Sequence, residues 1–209
     1  MVRMNIERVV IFGSTGTTGL CATHAAVKKG LNVRAFVRDP NKLPDNLRDS
    51  VEVVKGDVLL YNDVLNAIRN TSAVVVALGT RDDLSPTKDL SEGLKNIIKA
   101  MKELGVDIIS VCLSAFLFHD ANSDKVPPRF RDVTADHRRM YEVLKESGLK
   151  YIAIFSPHIA DNPGSDYDVA HDKYLGRVVS KHDLGKFLID SLSKPEHYGK
   201  VCGIISKEM

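Results

Sequence analysis

The sequence has 209 residues, of which 44% are hydrophobic and 27% charged, and its formal net charge at pH 7 is +2. This length fits one globular domain, residues 1–209, whose apolar core needs no disulfide or metal to be stable. The composition excludes a disordered polyelectrolyte, and the balanced charge gives no indication of a nucleic-acid-binding surface. Cys21, Cys112 and Cys202 are odd in number and lack CxxC spacing, so neither a disulfide framework nor a zinc site is expected.

The beginning of the chain has neither a long apolar segment nor a small-residue cleavage pattern, so we predict no signal peptide. No apolar run approaches the roughly 18 residues of a membrane span. We therefore expect a cytoplasmic protein with reduced cysteines and with no membrane or nucleic acid as partner.

Short β-branched runs alternate with helical patterns along the chain. In chain order they predict strands at 9–12, 33–37, 51–54, 73–78, 108–113, 151–155, 178–179 and 201–205, and helices at 18–29, 61–69, 91–104, 133–145 and 183–192. This alternation predicts an α/β fold with a single Rossmann-type domain, a doubly wound parallel sheet with helices on both faces.

Two segments interrupt the alternation, at about 114–131 and 156–177, and both are rich in Pro, Asp, Gly and Asn. Each follows a strand, so each is expected at the carboxyl edge of the sheet, where open α/β sheets bind ligands. Long loops in a small domain are usually functional or disordered. We therefore predict that these two segments form the substrate pocket.

The first predicted strand leads directly into Gly-Ser-Thr-Gly-Thr-Thr-Gly at 13–19, which opens the first helix. In such a turn Gly13 allows the chain to reverse, Gly16 lets the backbone approach a pyrophosphate, and Gly19 lets the helix pack close to the sheet. The helix N-terminus supplies N–H groups and partial positive charge for phosphates. The strand before the turn and the helix after it support a dinucleotide site.

The end of the second strand indicates which dinucleotide is bound. Arg38 lies 19 residues after Gly19 and Lys42 follows four residues later, and both cations suit a ribose 2′-phosphate, which favours NADPH. Asp39 leaves open the alternative of an acid that accepts the 2′-hydroxyl of NAD. Asp57 is expected to accept from the adenine amino group, and the backbone at Gly79 is expected to run beside the cofactor.

Together these residues resemble the NmrA-like branch of the atypical short-chain dehydrogenase/reductase family. Further stretches are similar to the enzymes of that branch that reduce flavins and biliverdin IXβ with NADPH: LGTRDDLSP at 78–86, SAFL at 114–117, KVPPR at 125–129, ESGLKY at 146–151, PHI at 157–159 and VSKHDLG at 179–185. The resemblance covers nearly the whole chain. It implies a monomer that transfers hydride from NADPH to FMN, FAD, riboflavin or biliverdin IXβ.

The resemblance also implies residue roles, with Ser114 and His158 as the catalytic pair. Together with the glycine turn it gives these cofactor contacts: Gly13, Thr15, Gly16, Thr17, Thr18, Gly19, Arg38, Lys42, Asp57, Val58, Leu78, Gly79, Arg81, Leu90, Cys112, Pro157 and Ile159. The substrate residues are Phe116, His119, Arg129, Phe130 and Arg177. His119 stands where the family has tryptophan, and Leu90 and Phe130 also depart from the family's residues, so these departures bear on the choice of substrate.

Two alternatives to a reductase of flavins and biliverdin remain at this stage. One is an NmrA-like sensor that holds NADP(H) without turnover, and another is a reductase of quinones or aromatic carbonyls. Tyr141 and Lys145 fit the Y-x-x-x-K pair of classical short-chain dehydrogenases, but they lie too late in their helix and are interpreted as a surface pair. The seven histidines show no metal-ligand spacing, so no metal site is expected.

Overall fold

The computed structural model describes residues 6–80, 82–121 and 123–207. The strands are β1 Arg8–Phe12, β2 Asn32–Val37, β3 Glu52–Lys55, β4 Ala73–Val76, β5 Ile108–Ser114, β6 Lys150–Ser156, β7 His158–Ala160, β8 Tyr167–His171, β9 Val178–Ser180 and β10 Lys200–Ser206. The helices are α1 Thr17–Lys28, α2 Asp45–Arg48, α3 Tyr61–Ile68, α4 Asp89–Leu104, α5 Arg131–Lys145 and α6 Lys181–Asp190. Short 3-10 turns cover Pro40–Lys42, Ala115–Phe118, Pro128–Phe130, Ser191–Ser193 and Pro195–His197.

Eight strands form the main sheet in the order β3-β2-β1-β4-β5-β6-β10-β8. Every neighbouring pair is parallel except β8, which runs antiparallel to β10 at the edge. The connections reverse direction beside β1, because β2 lies on one side of it and β4 on the other. Ligands of open α/β sheets bind at such a switch point, outside the carboxyl ends of the strands. The prediction of a Rossmann-type fold is confirmed.

The two faces of the sheet bury separate apolar cores, as the uninterrupted apolar strands predict. Val10 and Phe12 of β1 face the core beneath α3, α4 and α5, whereas Val9 and Ile11 face the core beneath α1 and α6. Gly185 of α6 makes close helix packing possible, since a Cβ there would lie 2.7 Å from the backbone nitrogen of Ala22 in α1. These helices are amphipathic, and none in the described ranges combines the length and apolar character needed to cross a bilayer.

Helix α4 begins at Asp89, two residues before the start expected from its apolar stripe, and ends before Gly105, which has a φ of +69°. The helix starts early because a residue of another helix caps it. The fully buried carboxylate of Asp136 in α5 accepts hydrogen bonds from the backbone nitrogens of Leu90 (3.1 Å) and Ser91 (3.4 Å). Asp136 thereby provides the helix with acceptors for N–H groups that have no partner within it.

The segment at 156–177, expected to be an irregular loop, contains strands β7 and β8. Strand β8 pairs with β10 from Tyr167 opposite Ser206 to His171 opposite Cys202. Strand β7 forms a small parallel sheet with β9. Neither β7 nor β8 was among the predicted elements, because the alternation over 167–171 is short and lies among residues typical of loops. The main sheet is parallel as predicted, apart from its edge strand β8.

His137 in α5 is the basis of a prediction about stability. Its Nδ1 atom is buried and has no hydrogen-bond partner within the described part of the chain. Burial lowers the pKa of His137 from 6.5 to about 4, and the nearby Asp136 carboxylate only partly opposes this. A folded-state pKa below the unfolded one means that the unfolded chain binds more protons between these two values.

We therefore expect the free energy of unfolding to fall as the pH drops from 6.5 toward 4, by up to about 3 kcal/mol from His137 alone. Denaturant unfolding of the wild type and of His137→Leu across this range measures the effect. The variant is expected to lose correspondingly less stability on acidification. His24→Leu, a change at an exposed helical histidine, is the matched control and keeps the wild-type slope. If the free energy of unfolding changed equally with pH in all three proteins, His137 would not be the group responsible.

Candidate cofactor and substrate site

The glycine turn after β1 is held in place by two very close backbone approaches. Gly13 has a φ of +90°, and a Cβ there would lie 2.4 Å from the carbonyl oxygen of Ala77, just after β4. A Cβ at Gly19 would lie 2.0 Å from the carbonyl oxygen of Gly13. Gly16 is less confined, since its nearest such contact is 3.3 Å. The fold itself therefore requires glycine at positions 13 and 19. The backbone at Gly16 has more free space around it.

The N-terminus of α1 is open to a ligand. Gly16 is its N-cap residue and offers no side-chain acceptor, and the first turn contains no acidic residue. The other five helices of the described ranges each carry an acidic residue in the first turn. The first N–H groups and the partial positive charge of α1 thus remain available for an anion such as a phosphate.

The residues between these glycines have different surroundings. Thr15 is half-buried, Thr17 exposed and Thr18 buried. Ser14, which the sequence did not single out, is fully buried and donates a hydrogen bond of 2.6 Å to the carbonyl oxygen of Ile11. Ser14 therefore stabilises the turn from within, and Thr15 and Thr17 lie on its outer side.

Two unpaired cations follow β2. Arg38 and Lys42 are exposed, and neither takes part in an ion pair with any residue that the structure describes. The Asp39 carboxylate accepts a hydrogen bond of 3.1 Å from the backbone nitrogen of Asn41 and so caps the turn Pro40–Lys42. This cap accounts for Asp39 as a structural residue, whereas nothing structural accounts for Arg38 or Lys42.

The turn after β3 contains Asp57 and Val58. The Asp57 carboxylate accepts from the backbone nitrogen of Leu59 at 2.9 Å, which orients it at the edge of the sheet. Val58 packs against α4 at Gly93, where a Cβ would lie 2.8 Å from a Val58 methyl carbon. Both residues therefore lie beside the end of β2, on the same side of the switch point as Arg38.

Leu78 and Gly79 follow β4, with Leu78 half-buried and Gly79 exposed. Arg81, also expected to contact the cofactor, lies outside the described residues. Leu90 is buried at the start of α4, 6% exposed, and its backbone nitrogen is already bonded to Asp136. Leu90 therefore lies in the core at the start of α4, and only a small part of its side chain is accessible to a ligand.

Strand β5 ends at Ser114, whose hydroxyl oxygen accepts a hydrogen bond of 3.2 Å from the backbone nitrogen of Phe116. This bond leaves the hydroxyl proton of Ser114 free to be donated elsewhere. Two residues earlier, Cys112 lies 3.6 Å from the hydroxyl of Ser156. Burial raises the pKa of Cys112 to about 11, so this thiol is protonated at neutral pH and is not a nucleophile.

Aromatic rings and cations surround the chain after β5. The rings of Phe116 and Phe130 are 5.5 Å apart at an angle of 30°, and the Arg129 guanidinium lies 4.7 Å from the Phe130 ring centre. His119 lies 5.8 Å from the ring of Tyr174. Tyr174, not predicted as a site residue, comes from the segment 156–177, so the two expected substrate segments do meet.

The chain after β6 brings His158 next to Arg177. His158 is exposed, and its backbone nitrogen donates a hydrogen bond of 3.1 Å to the carbonyl oxygen of Arg177. Pro157 is half-buried, and Ile159 packs against the core beneath α1 and α6. The β7–β9 pairing is therefore the element that places His158 and Arg177 together.

Tyr141 and Lys145 lie away from these residues. The Tyr141 ring is half-buried and packs edge-on against Phe155 at 5.2 Å, and the Lys145 ammonium is 5.9 Å from its centre. Burial, with Tyr151 and Asp172 nearby, raises the pKa of Tyr141. The expectation of a pair on the surface was wrong for Tyr141, which is a packing residue of the core beneath α5.

The described site residues form two groups along the carboxyl edge. The glycine turn, Arg38, Lys42, Asp57 and Val58 lie at β1 to β3, and Ser114, His158 and the aromatic residues lie at β5 to β7. A concave region of about 230 Å³ is lined by Ala121, Val126 and Arg131 of the first predicted substrate segment together with the side of α5. Another, of about 260 Å³, lies beside Asn32 at the amino ends of β1 and β2.

The comparisons with known proteins agree with this geometry. Residues 13–195 match the family described as NAD(P)H-binding. The chain is 23% identical to an uncharacterized chloroplastic protein of Arabidopsis thaliana, over 96% of this chain and 77% of that one. It is also 23% identical to isoflavone reductase of Glycine max, over 95% of this chain and 70% of that one.

Among solved structures, a short-chain dehydrogenase/reductase from Veillonella parvula in complex with NADP superimposes with a TM-score of 0.80 at 17% identity, covering 97% of this chain and 95% of that one. At this identity the likeness supports the fold alone. The match over 13–195 includes the glycine turn and both groups of site residues. The chain belongs to the NAD(P)H-binding family of Rossmann-fold proteins.

Proposed function

We propose that this protein is an NADPH-dependent oxidoreductase that reduces free flavins (FMN, FAD and riboflavin) and biliverdin IXβ-type tetrapyrroles. The observation that carries the proposal is the ring pair of Phe116 and Phe130, with the Arg129 guanidinium over it, next to Ser114. Flat aromatic side chains stack on planar acceptors, and guanidinium groups pair with phosphate or carboxylate.

The choice of NADPH over NADH depends on Arg38, Lys42 and Asp39. Two exposed cations without ion-pair partners in the described ranges favour a 2′-phosphate, and Asp39 is engaged in capping the turn Pro40–Lys42. The cofactor's pyrophosphate would lie at the uncapped N-terminus of α1, where a side chain at Gly13 or Gly19 would collide with backbone. We propose that the enzyme acts as a monomer, as the family resemblance implies.

When bound, the reduced nicotinamide supplies a hydride. The work of this chain is to hold cofactor and acceptor in contact and to limit water between them. The Ser114 hydroxyl has a free proton to donate to a polar group at the end of β5. A reduced flavin carries its negative charge or takes a proton from water, so Ser114 and His158 are positioning residues for that acceptor. For a tetrapyrrole, the proton goes to a pyrrole nitrogen from water or a side chain.

A reductase of aromatic carbonyls is the second candidate. The observation in its favour is the exposed imidazole of His158 at the carboxyl edge. Reduction of a carbonyl by hydride gives an alkoxide, which needs a proton in the transition state. General acid catalysis by a histidine would therefore matter much more for this acceptor.

The first test is a turnover assay with the purified protein. We expect loss of NADPH absorbance with FMN and with biliverdin IXβ as acceptors, and much slower turnover when NADH replaces NADPH. The protein should also be colourless as purified, since only one dinucleotide site is proposed. Tight NADPH binding with no turnover on either acceptor would contradict the proposal and favour a sensor.

Arg38→Ala tests how the cofactor is distinguished. Hydrogen bonds to charged groups contribute about 1.5–3 kcal/mol, so we expect the KM for NADPH to rise about 10- to 100-fold while the KM for NADH changes little. Steady-state kinetics with NADPH and with NADH gives the two KM values. Lys28→Ala removes a cation at the other end of α1 and should change neither value. Equal effects of Arg38→Ala on both cofactors would contradict 2′-phosphate binding.

Ser114→Ala and His158→Ala test for a proton donor. We expect each to lower kcat with FMN by less than about tenfold, because a general acid, whose loss costs about 10²- to 10⁴-fold, is not required there. The pH profile of kcat should keep its shape. A loss of 10²-fold or more confined to an aromatic ketone would instead support the carbonyl reductase, and such a loss with FMN would make that residue a proton donor for flavin.

A further inference from the structure

Three potential metal ligands meet on the side of the sheet away from the proposed cofactor groups. His171, His197 and Cys202 each offer one ligand atom, and these atoms lie within 4.8 Å of one another. The His171 Nε2 is 2.9 Å from the His197 Nδ1, and that same Nδ1 is 3.9 Å from the Cys202 sulfur. We call these three residues the His-His-Cys cluster.

Three elements bring the cluster together. His171 is the last residue of β8 and lies directly opposite Cys202 of β10 in an antiparallel pair, so both side chains are on the same face of the sheet. His197 comes from the 3-10 turn Pro195–His197, which precedes β10. Its ring is fixed edge-on by Phe187 at 5.2 Å and by the perpendicular ring of His171.

We propose that the His-His-Cys cluster binds a zinc ion. Imidazole nitrogen and thiolate sulfur are the preferred ligands of Zn²⁺, and three protein ligands with an open fourth position for water are a common arrangement. Tetrahedral zinc, with Zn–N of about 2.0–2.1 Å and Zn–S of about 2.3 Å, needs N–N and N–S separations of about 3.3 and 3.6 Å. Two of the observed separations, 2.9 and 3.9 Å, are within about 0.4 Å of these values. The third, between His171 and Cys202, is at most 4.8 Å, so the exposed His171 side chain has to rotate toward the sulfur when the ion binds.

The surroundings suit an entering cation. Cys202 is fully buried, while His171 is exposed, so the ion enters from the His171 side. The carboxylate of Asp172 is close enough to act electrostatically on Cys202. Zinc binds the thiolate form of cysteine, so the Cys202 proton is released when the ion binds.

The simpler alternative is a hydrogen bond between two neutral imidazoles beside a buried thiol. A separation of 2.9 Å also fits an N–H···N bond. The β8–β10 register places the Cys202 sulfur near His171 in either case, so the zinc proposal depends on His197 completing a set of three ligands. Zinc would join the antiparallel edge strand β8 to β10 and to the turn after α6, so its expected role is structural.

Calorimetric titration of the tag-free, metal-stripped chain with Zn²⁺ tests the proposal. We expect one equivalent to bind, with Tm raised by roughly 5–10 °C at a hundredfold excess of free Zn²⁺ over Kd. Co²⁺ should give the sulfur-to-metal charge-transfer band of a thiolate ligand. His171→Ala should weaken binding by more than about tenfold, the least that loss of even an outer-shell partner costs.

Two further variants test whether the bound ion is held by the His-His-Cys cluster. Cys202→Ser should abolish the charge-transfer band. His24→Ala, at an exposed histidine of α1, is the matched control for His171→Ala and should bind Zn²⁺ as the wild type does. His171→Ala changes an exposed side chain, so it keeps the test valid if the buried Cys202→Ser fails to fold. No binding by the wild type, or unchanged binding by His171→Ala, would overturn the proposal.

Discussion

The close approach of Gly13 to the chain after β4, and of Gly19 to Gly13, is the constraint on which the proposed cofactor site depends. With any side chain at these positions, a Cβ would lie within 2.4 Å of a backbone oxygen, and α1 would have to move away from the sheet. Because α1 starts so close to β1, its first N–H groups lie at the switch point. A packing requirement of the fold thus places these N–H groups where the proposed pyrophosphate would bind.

The helix N-termini show how this site differs from the rest of the fold. The buried Asp136 caps α4, and the Ser180 hydroxyl caps α6 by accepting from His182 at 3.2 Å. Helix α1 has no side-chain cap and no acidic residue in its first turn, a combination absent from the other five described helices. Its uncompensated positive end is what a bound pyrophosphate would stabilise.

The parts of the structure that local patterns encode were predictable. The apolar runs identified β1 to β6, β9 and β10, and the spacing of Leu94, Ile97 and Met101 identified α4, since helical and strand periodicity express burial within one element. The earlier start of α4 was not predictable, because its cap, Asp136, lies in another helix. The capping role of Asp39 was not predictable either, because the sequence did not indicate the turn Pro40–Lys42 that it caps.

The substrate side and the His-His-Cys cluster were harder to predict for one shared reason. Strand β8 is short and pairs antiparallel with the last strand of the chain, so nothing near it in sequence indicates its register. That register places His171 opposite Cys202 and leads the chain on to Tyr174, which packs against His119. A search for metal-ligand spacing within one segment finds neither contact. The edge strand therefore determines both the wall of the proposed pocket and the proposed zinc site.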